Sequence, residues 1–143
     1  MSDLVCAIRG GPGSYQTRLA ALQHGADTGS GVRFLSVIDP GVYEPLHTGE
    51  QHAIRAEMAW RDLALAKAIA ARAHLDDVRF TVTVRVGDLV DTISAFTGEV
   101  EADTILIGTP RSAADARFAA DGVGEFADEL RQRTGAMVMV MSP

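Results

Sequence analysis

A chain of 143 residues, 47% of them hydrophobic and 22% charged, can bury about 70% of its unfolded surface as one domain and needs no disulfide or metal staple. Its formal charge of −6 argues against nonspecific nucleic-acid binding, which requires a cationic face, and gives no electrostatic reason to bind an anionic membrane. The single cysteine, Cys6, cannot form an internal disulfide, no apolar run approaches the ~20 residues of a membrane span, and the N-terminus has no basic-then-apolar leader pattern, so the cytoplasm is the expected compartment.

Leu4 to Ile8 is an unbroken apolar run, the pattern of a strand buried on both faces of a parallel sheet. Gly10-Gly11-Pro12-Gly13 breaks it, Ser14 is an N-cap candidate, and Tyr15, Leu19 and Leu22 then recur at helical spacing. Gly25, Gly29 and Gly31 are expected to end that helix. Val32 to Ile38 reads as a second strand, closed by Asp39-Pro40-Gly41, and residues 41–50 show no period and read as a loop. From about Glu50 to Ala73 the chain favours helix, with Ile54, Met58, Leu65 and Ile69 on one stripe. Trp60 and Met58 on this helix read as core or dimer-contact residues.

Val78 to Val86 alternates and is rich in β-branched residues, which predicts a third strand. Gly87-Asp88 is a turn with an N-cap candidate, and Leu89, Ile93 and Phe96 mark a helix closing near Gly98. Thr104 to Thr109 is the fourth strand, residues 110–121 an Ala- and charge-rich loop, and Gly124 to Arg133 a fourth helix with Phe126 and Leu130 inward and Gly135 as C-cap. Met137 to Met141 is the fifth strand. Strict strand–helix alternation implies right-handed crossovers and a parallel sheet covered by helices on both faces.

The stretch from Ala102 to Glu125 is the candidate site. An apolar strand ends in Gly108-Thr109-Pro110, a loop follows, and a helix start carries acidic residues. Parallel α/β proteins hold phosphates or nucleotides at the carboxyl end of a strand in this layout. The run Ala102-Asp103-Thr104-Ile105-Leu106-Ile107-Gly108-Thr109 resembles the universal stress protein family. Val37-Ile38-Asp39-Pro40 at the end of the second strand, Val86-Gly87-Asp88-Leu89-Val90 with Ile93, and the apolar last strand closed by Pro143 extend the resemblance over essentially the whole chain. The resemblance implies a five-stranded, doubly wound parallel sheet of order 3-2-1-4-5. This is a Rossmann-like fold of the adenine nucleotide alpha hydrolase type. It also implies a homodimer, often joined through the last strand, here Met137 to Met141, and a role in stress survival with or without ATP.

In the ATP-binding branch the resemblance implies a glycine, two residues, a second glycine, nine residues, then glycine and a hydroxyl. Backbone amides approach the phosphates at the glycines, and the hydroxyl adds a donor. Here Gly108 takes the first place, Arg111 the second, and the closing pair is Gly124-Glu125, with twelve residues after Arg111. Aligning Gly122-Val123 instead also lacks the hydroxyl. Arg9 stands where the first strand of ATP binders ends in aspartate. These departures predict a degenerate nucleotide site that does not bind ATP in the usual way. Glu125 at a helix start would repel a triphosphate, and Arg9 or Arg111 pairs with it or recruits another anion. The alternative is an ATP- or AMP-binding regulator that uses Arg9, Gly10, Ile38, Gly108, Arg111, Gly122, Gly124 and Glu125 in a modified loop at 108–125.

Other chemistries fit less well. Gly10-Gly11-Pro12-Gly13-Ser14 lacks the Lys-Ser/Thr of a P-loop and the spacing of a dinucleotide fingerprint, and reads as a strand-to-helix turn. His24, His47, His52 and His74 are scattered, without metal-ligand spacing. Cys6 sits mid-strand as a core residue. No nucleophile–base–orienter set is visible, so a non-enzyme with no resident cofactor and an unknown protein partner is expected. A phosphoacceptor domain needs acidic residues where Arg9 stands, and a flavin carrier needs a hydroxyl-rich loop and more aromatic residues than 6%.

Overall fold

The structure, a computed structural model, describes residues 2–8, 15–38, 48–108 and 120–141. Five strands alternate with four helices: β1 (Leu4–Ile8), α1 (Tyr15–Thr28), β2 (Val32–Ile38), α2 (Thr48–Arg72), β3 (Phe80–Val86), α3 (Leu89–Glu99), β4 (Thr104–Gly108), α4 (Ala120–Thr134) and β5 (Met137–Met141). The strands form one sheet in the order β3-β2-β1-β4-β5, and every pairing is parallel. This is the doubly wound architecture that the alternation and the resemblance imply.

Strand side chains point alternately to the two faces, so each strand feeds two cores. On one face Leu4, Cys6, Ile8, Val32, Phe34 and Leu106 meet Ala21 and Leu22 of α1 and Ala66, Ile69 and Ala70 of α2. On the other, Val5, Leu35, Ile105, Ile107 and Val138 meet Ile93 and Phe96 of α3 and Ala127 and Leu130 of α4. The near-continuous apolar runs in β1 and β4 follow from this two-sided burial. Cys6 is a fully buried thiol of the first core.

Four expectations need correction. Gly25 does not end α1, which continues to Thr28. A Cβ at Gly25 would stand 2.9 Å from both the Ser30 carbonyl oxygen and Val32 Cγ2, so this glycine lets the last helical turn press on the start of β2. The helix stops instead at Gly29, whose φ of 73° is left-handed. β3 starts at Phe80, two residues later than its alternation predicts. Trp60, expected in the core or at a dimer contact, is 72% exposed, which removes the core half of that expectation, while Met58 is half-buried. Finally, α4 begins at Ala120 rather than Gly124. Among the described residues no helix is long and apolar enough to cross a membrane.

Candidate functional site

The sheet order places β2 and β3 on one side of β1, and β4 and β5 on the other. The chain direction of winding therefore reverses between β1 and β4, and the place where doubly wound sheets form their binding crevice lies beyond the carboxyl ends of these two strands, at Ile8 and Gly108. The first turn of α1 stands beside this crevice, held from two sides.

On the β4 side, α1 lies very close to the strand end. A Cβ at Gly108 would sit 2.6 Å from Thr17 Oγ1, so a larger residue there forces the Thr17 side chain to move. Packing thus gives a second reason for a glycine that the sequence presents as a phosphate-loop residue. On the β2 side, the Arg18 guanidinium is completely buried and donates to Asp62 Oδ1 of α2 at 3.0 Å. Ser36 of β2 donates its hydroxyl to the other carboxylate oxygen of Asp62 at 2.7 Å. One buried carboxylate thus ties α1, α2 and β2 together. Burial pulls the Arg18 guanidinium below its ordinary pKa, and the charge of Asp62 opposes that pull. Burial likewise pushes the Cys6 thiol, whose Sγ lies 4.0 Å from the Thr17 carbonyl oxygen, up to about 12. That thiol carries no nucleophilic character at neutral pH.

The wall beyond β2 is built by the next strand–helix junction. Ile38 is buried, and its carbonyl accepts the Gly87 amide at 2.9 Å. Asp88 caps α3, its carboxylate accepting the Asp91 amide at 3.1 Å. A Cβ at Gly87 would stand 2.5 Å from Thr92 Oγ1, so this turn also needs its glycine. The expected turn and N-cap at Gly87-Asp88 are both present.

The third wall differs most from expectation. Because α4 starts at Ala120, Gly122, Gly124 and Glu125 lie within the helix, not in a turn before it. Only the first amides of an α-helix lack a carbonyl four residues back. The Gly122 amide is among those; the amides of Gly124 and Glu125 are bonded into the helical ladder. The exposed Glu125 is in the second turn and not at the helix start, so the dipole argument for it lapses. Arg9, Gly10 and Arg111 lie outside the described residues, as does any pairing of either arginine with Glu125. Ile38 and Gly108 thus stand at the carboxyl ends of β2 and β4, and Gly124 and Glu125 lie within α4. Among the described residues no group of three or more His, Cys, Asp or Glu side chains could hold a metal ion.

The sequence reading missed the Arg18–Asp62–Ser36 cluster. A signal existed, because all three polar residues occupy inward positions. Arg18 falls between Tyr15 and Leu22 on the helical period, Asp62 between Met58 and Leu65, and Ser36 within an apolar strand.

A model of the universal stress protein family matches residues 1–142. The chain belongs to the universal stress protein family. Solved structures of similar architecture support the fold. A universal stress protein family member from Burkholderia pseudomallei aligns with a TM-score of 0.66 at 18% identity, over 98% of this chain and 96% of that one. The universal stress protein from Archaeoglobus fulgidus in complex with dAMP gives 0.64 at 15%, over 98% and 97%. A universal stress protein in complex with cAMP gives 0.59 at 17%, over 99% and 98%. At these identities the likeness carries the fold alone. A search of curated protein sequences finds no match.

Proposed function

We propose that this universal stress protein is a non-enzymatic binding or regulatory protein of the cytoplasm, with a degenerate nucleotide site that does not bind ATP in the usual way. The observation that carries the reading is the position of Gly124 and Glu125 inside α4. A phosphate cradle needs unbonded backbone amides and a hydroxyl at the helix start. At the closing pair of this chain the amides are already bonded and the hydroxyl is replaced by a carboxylate. Arg9 and Arg111 in place of the aspartate and second glycine add to the same reading. Isothermal titration with ATP, AMP and inorganic phosphate tests it. Weak or absent ATP binding is expected, and micromolar one-site ATP binding would sink it.

A second reading has its own support. The crevice beside Gly108, the free amides of the first α4 turn, and neighbours solved with cAMP and dAMP favour a mononucleotide in a modified geometry. Protection of the chain from thermal unfolding by AMP but not ATP would select this reading.

For the dimer expected from the family, β5 is the edge that needs covering. It ends the sheet, and Met137 and Val140 are 63% and 40% exposed. Pairing this edge with a second copy satisfies its open backbone groups and covers both side chains.

A further inference from the structure

The β5 edge of the sheet is not uniformly open. The Met137 amide donates to the Asp103 carbonyl at 3.0 Å, so Met137 turns its backbone groups toward β4. Backbone direction alternates along a strand, and Val138 and Val140 therefore turn theirs outward, to the side where no strand follows. One of those outward groups is already taken. Arg131 of α4 donates from Nη2 to the Val138 carbonyl oxygen at 2.9 Å. Its Nη1 donates to Asp128 Oδ1 at 2.7 Å, so the guanidinium is held from two sides. Among the described residues of β5, Val140 is the one whose outward N–H and C=O are both unclaimed.

We propose that Arg131 sets the register of the homodimer: two β5 strands pair antiparallel about a twofold axis, with Val140 of each copy facing Val140 of the other. The inference rests on the pairing through β5 proposed above, and adds to it which residues meet and which side chain decides.

In an antiparallel pair, opposed residues alternate between those that exchange both N–H···O bonds and those that exchange none. A twofold axis makes the arrangement read the same from either copy. Three registers compete. With Val140 opposite Val140, the central pair of bonds uses only unclaimed groups. Val138 then lies at the flank, where its amide is free to donate and its oxygen can stay with Arg131. With Val138 opposite Val140, each copy must offer its Val138 oxygen as an acceptor, and Arg131 holds that oxygen in both. That register has to break or share two charge-assisted hydrogen bonds. Val138 opposite Val138 meets the same obstacle at its central pair.

The side chains agree with the choice. Val140 points to the same face as Val138 and is 40% exposed in the single chain, so at the twofold each valine covers the other. On the opposite face Met139 comes level with Met141 of the other copy, and both already pack against the first core. These methionine pairs are of the closer, non-hydrogen-bonded kind. In the competing registers Met139 would face Met139 or Met137 instead, so the neighbour of Met139 reports the register.

The unaltered chain carries the test. In a mixture of isotope-labelled and unlabelled chains, filtered NMR should show an interchain contact between the Cα protons of Met139 and Met141, and none between Met139 and Met139. Disulfide trapping gives a second readout, because Cys6 is buried and introduced thiols are the ones that react. Met139→Cys mixed with Met141→Cys should oxidise to the mixed dimer, and Met139→Cys alone should not link to itself. Arg131→Ala releases the Val138 oxygen. Self-linking of Met139→Cys in that background should rise about tenfold, the worth of one hydrogen bond to a charged group. An arginine that only stabilised α4 would lower stability without moving the register. Overturning results are a Met139–Met139 contact in the unaltered chain, a Met141→Cys chain that links to itself, or an Arg131→Ala background with unchanged trapped pairs. If light scattering still gives the mass of a dimer in those cases, the pairing through β5 stands and the register falls. The mass of a single chain at every concentration overturns the pairing and the register with it.

Discussion

Among the described residues Arg18 is the most deeply buried charged side chain. Replacing it with alanine strands the Asp62 carboxylate, 9% exposed, with Ser36 as its remaining donor among the contacts described above. Removing one partner of a buried ion pair costs about 3–5 kcal/mol, because the other charge stays buried and uncompensated. The lost guanidinium also leaves a void among the largest fully buried side chains, which adds to the cost. Against a total stability of about 5–15 kcal/mol, the variant should be marginal. Urea denaturation followed by circular dichroism measures this directly, and the midpoint should fall with little change in slope. Replacing the whole cluster, with Arg18→Met, Ser36→Ala and Asp62→Leu together, should restore most of the loss, since apolar residues of similar volume substitute well for buried ion pairs. An Arg18→Ala cost below about 1 kcal/mol would refute the clamp, because a charge stranded in the core cannot be that cheap. A triple variant no better than the single would equally contradict the electrostatic account.

Other predictions concern the glycine at the crevice, the thiol and the sheet edge. Gly108→Ala should cost about 1–3 kcal/mol by overpacking against Thr17, and adding Thr17→Ala should recover much of it in the same denaturation assay. Cys6 keeps its proton in the folded state up to about 12, whereas the unfolded thiol loses it near 9.0. Stability from this group is therefore complete below pH 9.0 and lost as pH climbs toward 12, at about 1.4 kcal/mol per pH unit. Cys6→Ala should flatten that alkaline decline. Val140→Lys on β5, whose side chain is exposed in the single chain, should lower the mass measured by light scattering to half of the wild-type value, and the unfolding free energy should fall only by what the pairing itself contributed.

Much of the fold was legible because its signals are local and periodic. The apolar runs of β1 and β4 announced two-sided burial, and Gly87-Asp88 announced the start of α3 through a turn residue and a cap. The start of α4 was hidden because Gly122 and Gly124 look like turn residues. The helix tolerates them because Ala127 and Leu130 bury its inner face against the sheet, and that tertiary gain outweighs their low propensity. The same misplacement gave Glu125 a role at a helix start that it does not occupy. Gly108 was located correctly, yet its spatial cause, contact with Thr17, depends on a partner 91 residues away and leaves no local mark. The Arg18–Asp62–Ser36 clamp was written in three separate periodicities, but only the tertiary fold shows that they converge.

The central claim is that the closing glycine pair of this universal stress protein no longer forms a phosphate cradle. Isothermal titration of ATP into the purified full chain tests it most directly, with AMP and inorganic phosphate as parallel titrants. The account predicts no saturable micromolar heat with ATP. One-site micromolar ATP binding would contradict it, and would mean that the first turn of α4 and the arginines hold a triphosphate without the amides of Gly124 and Glu125.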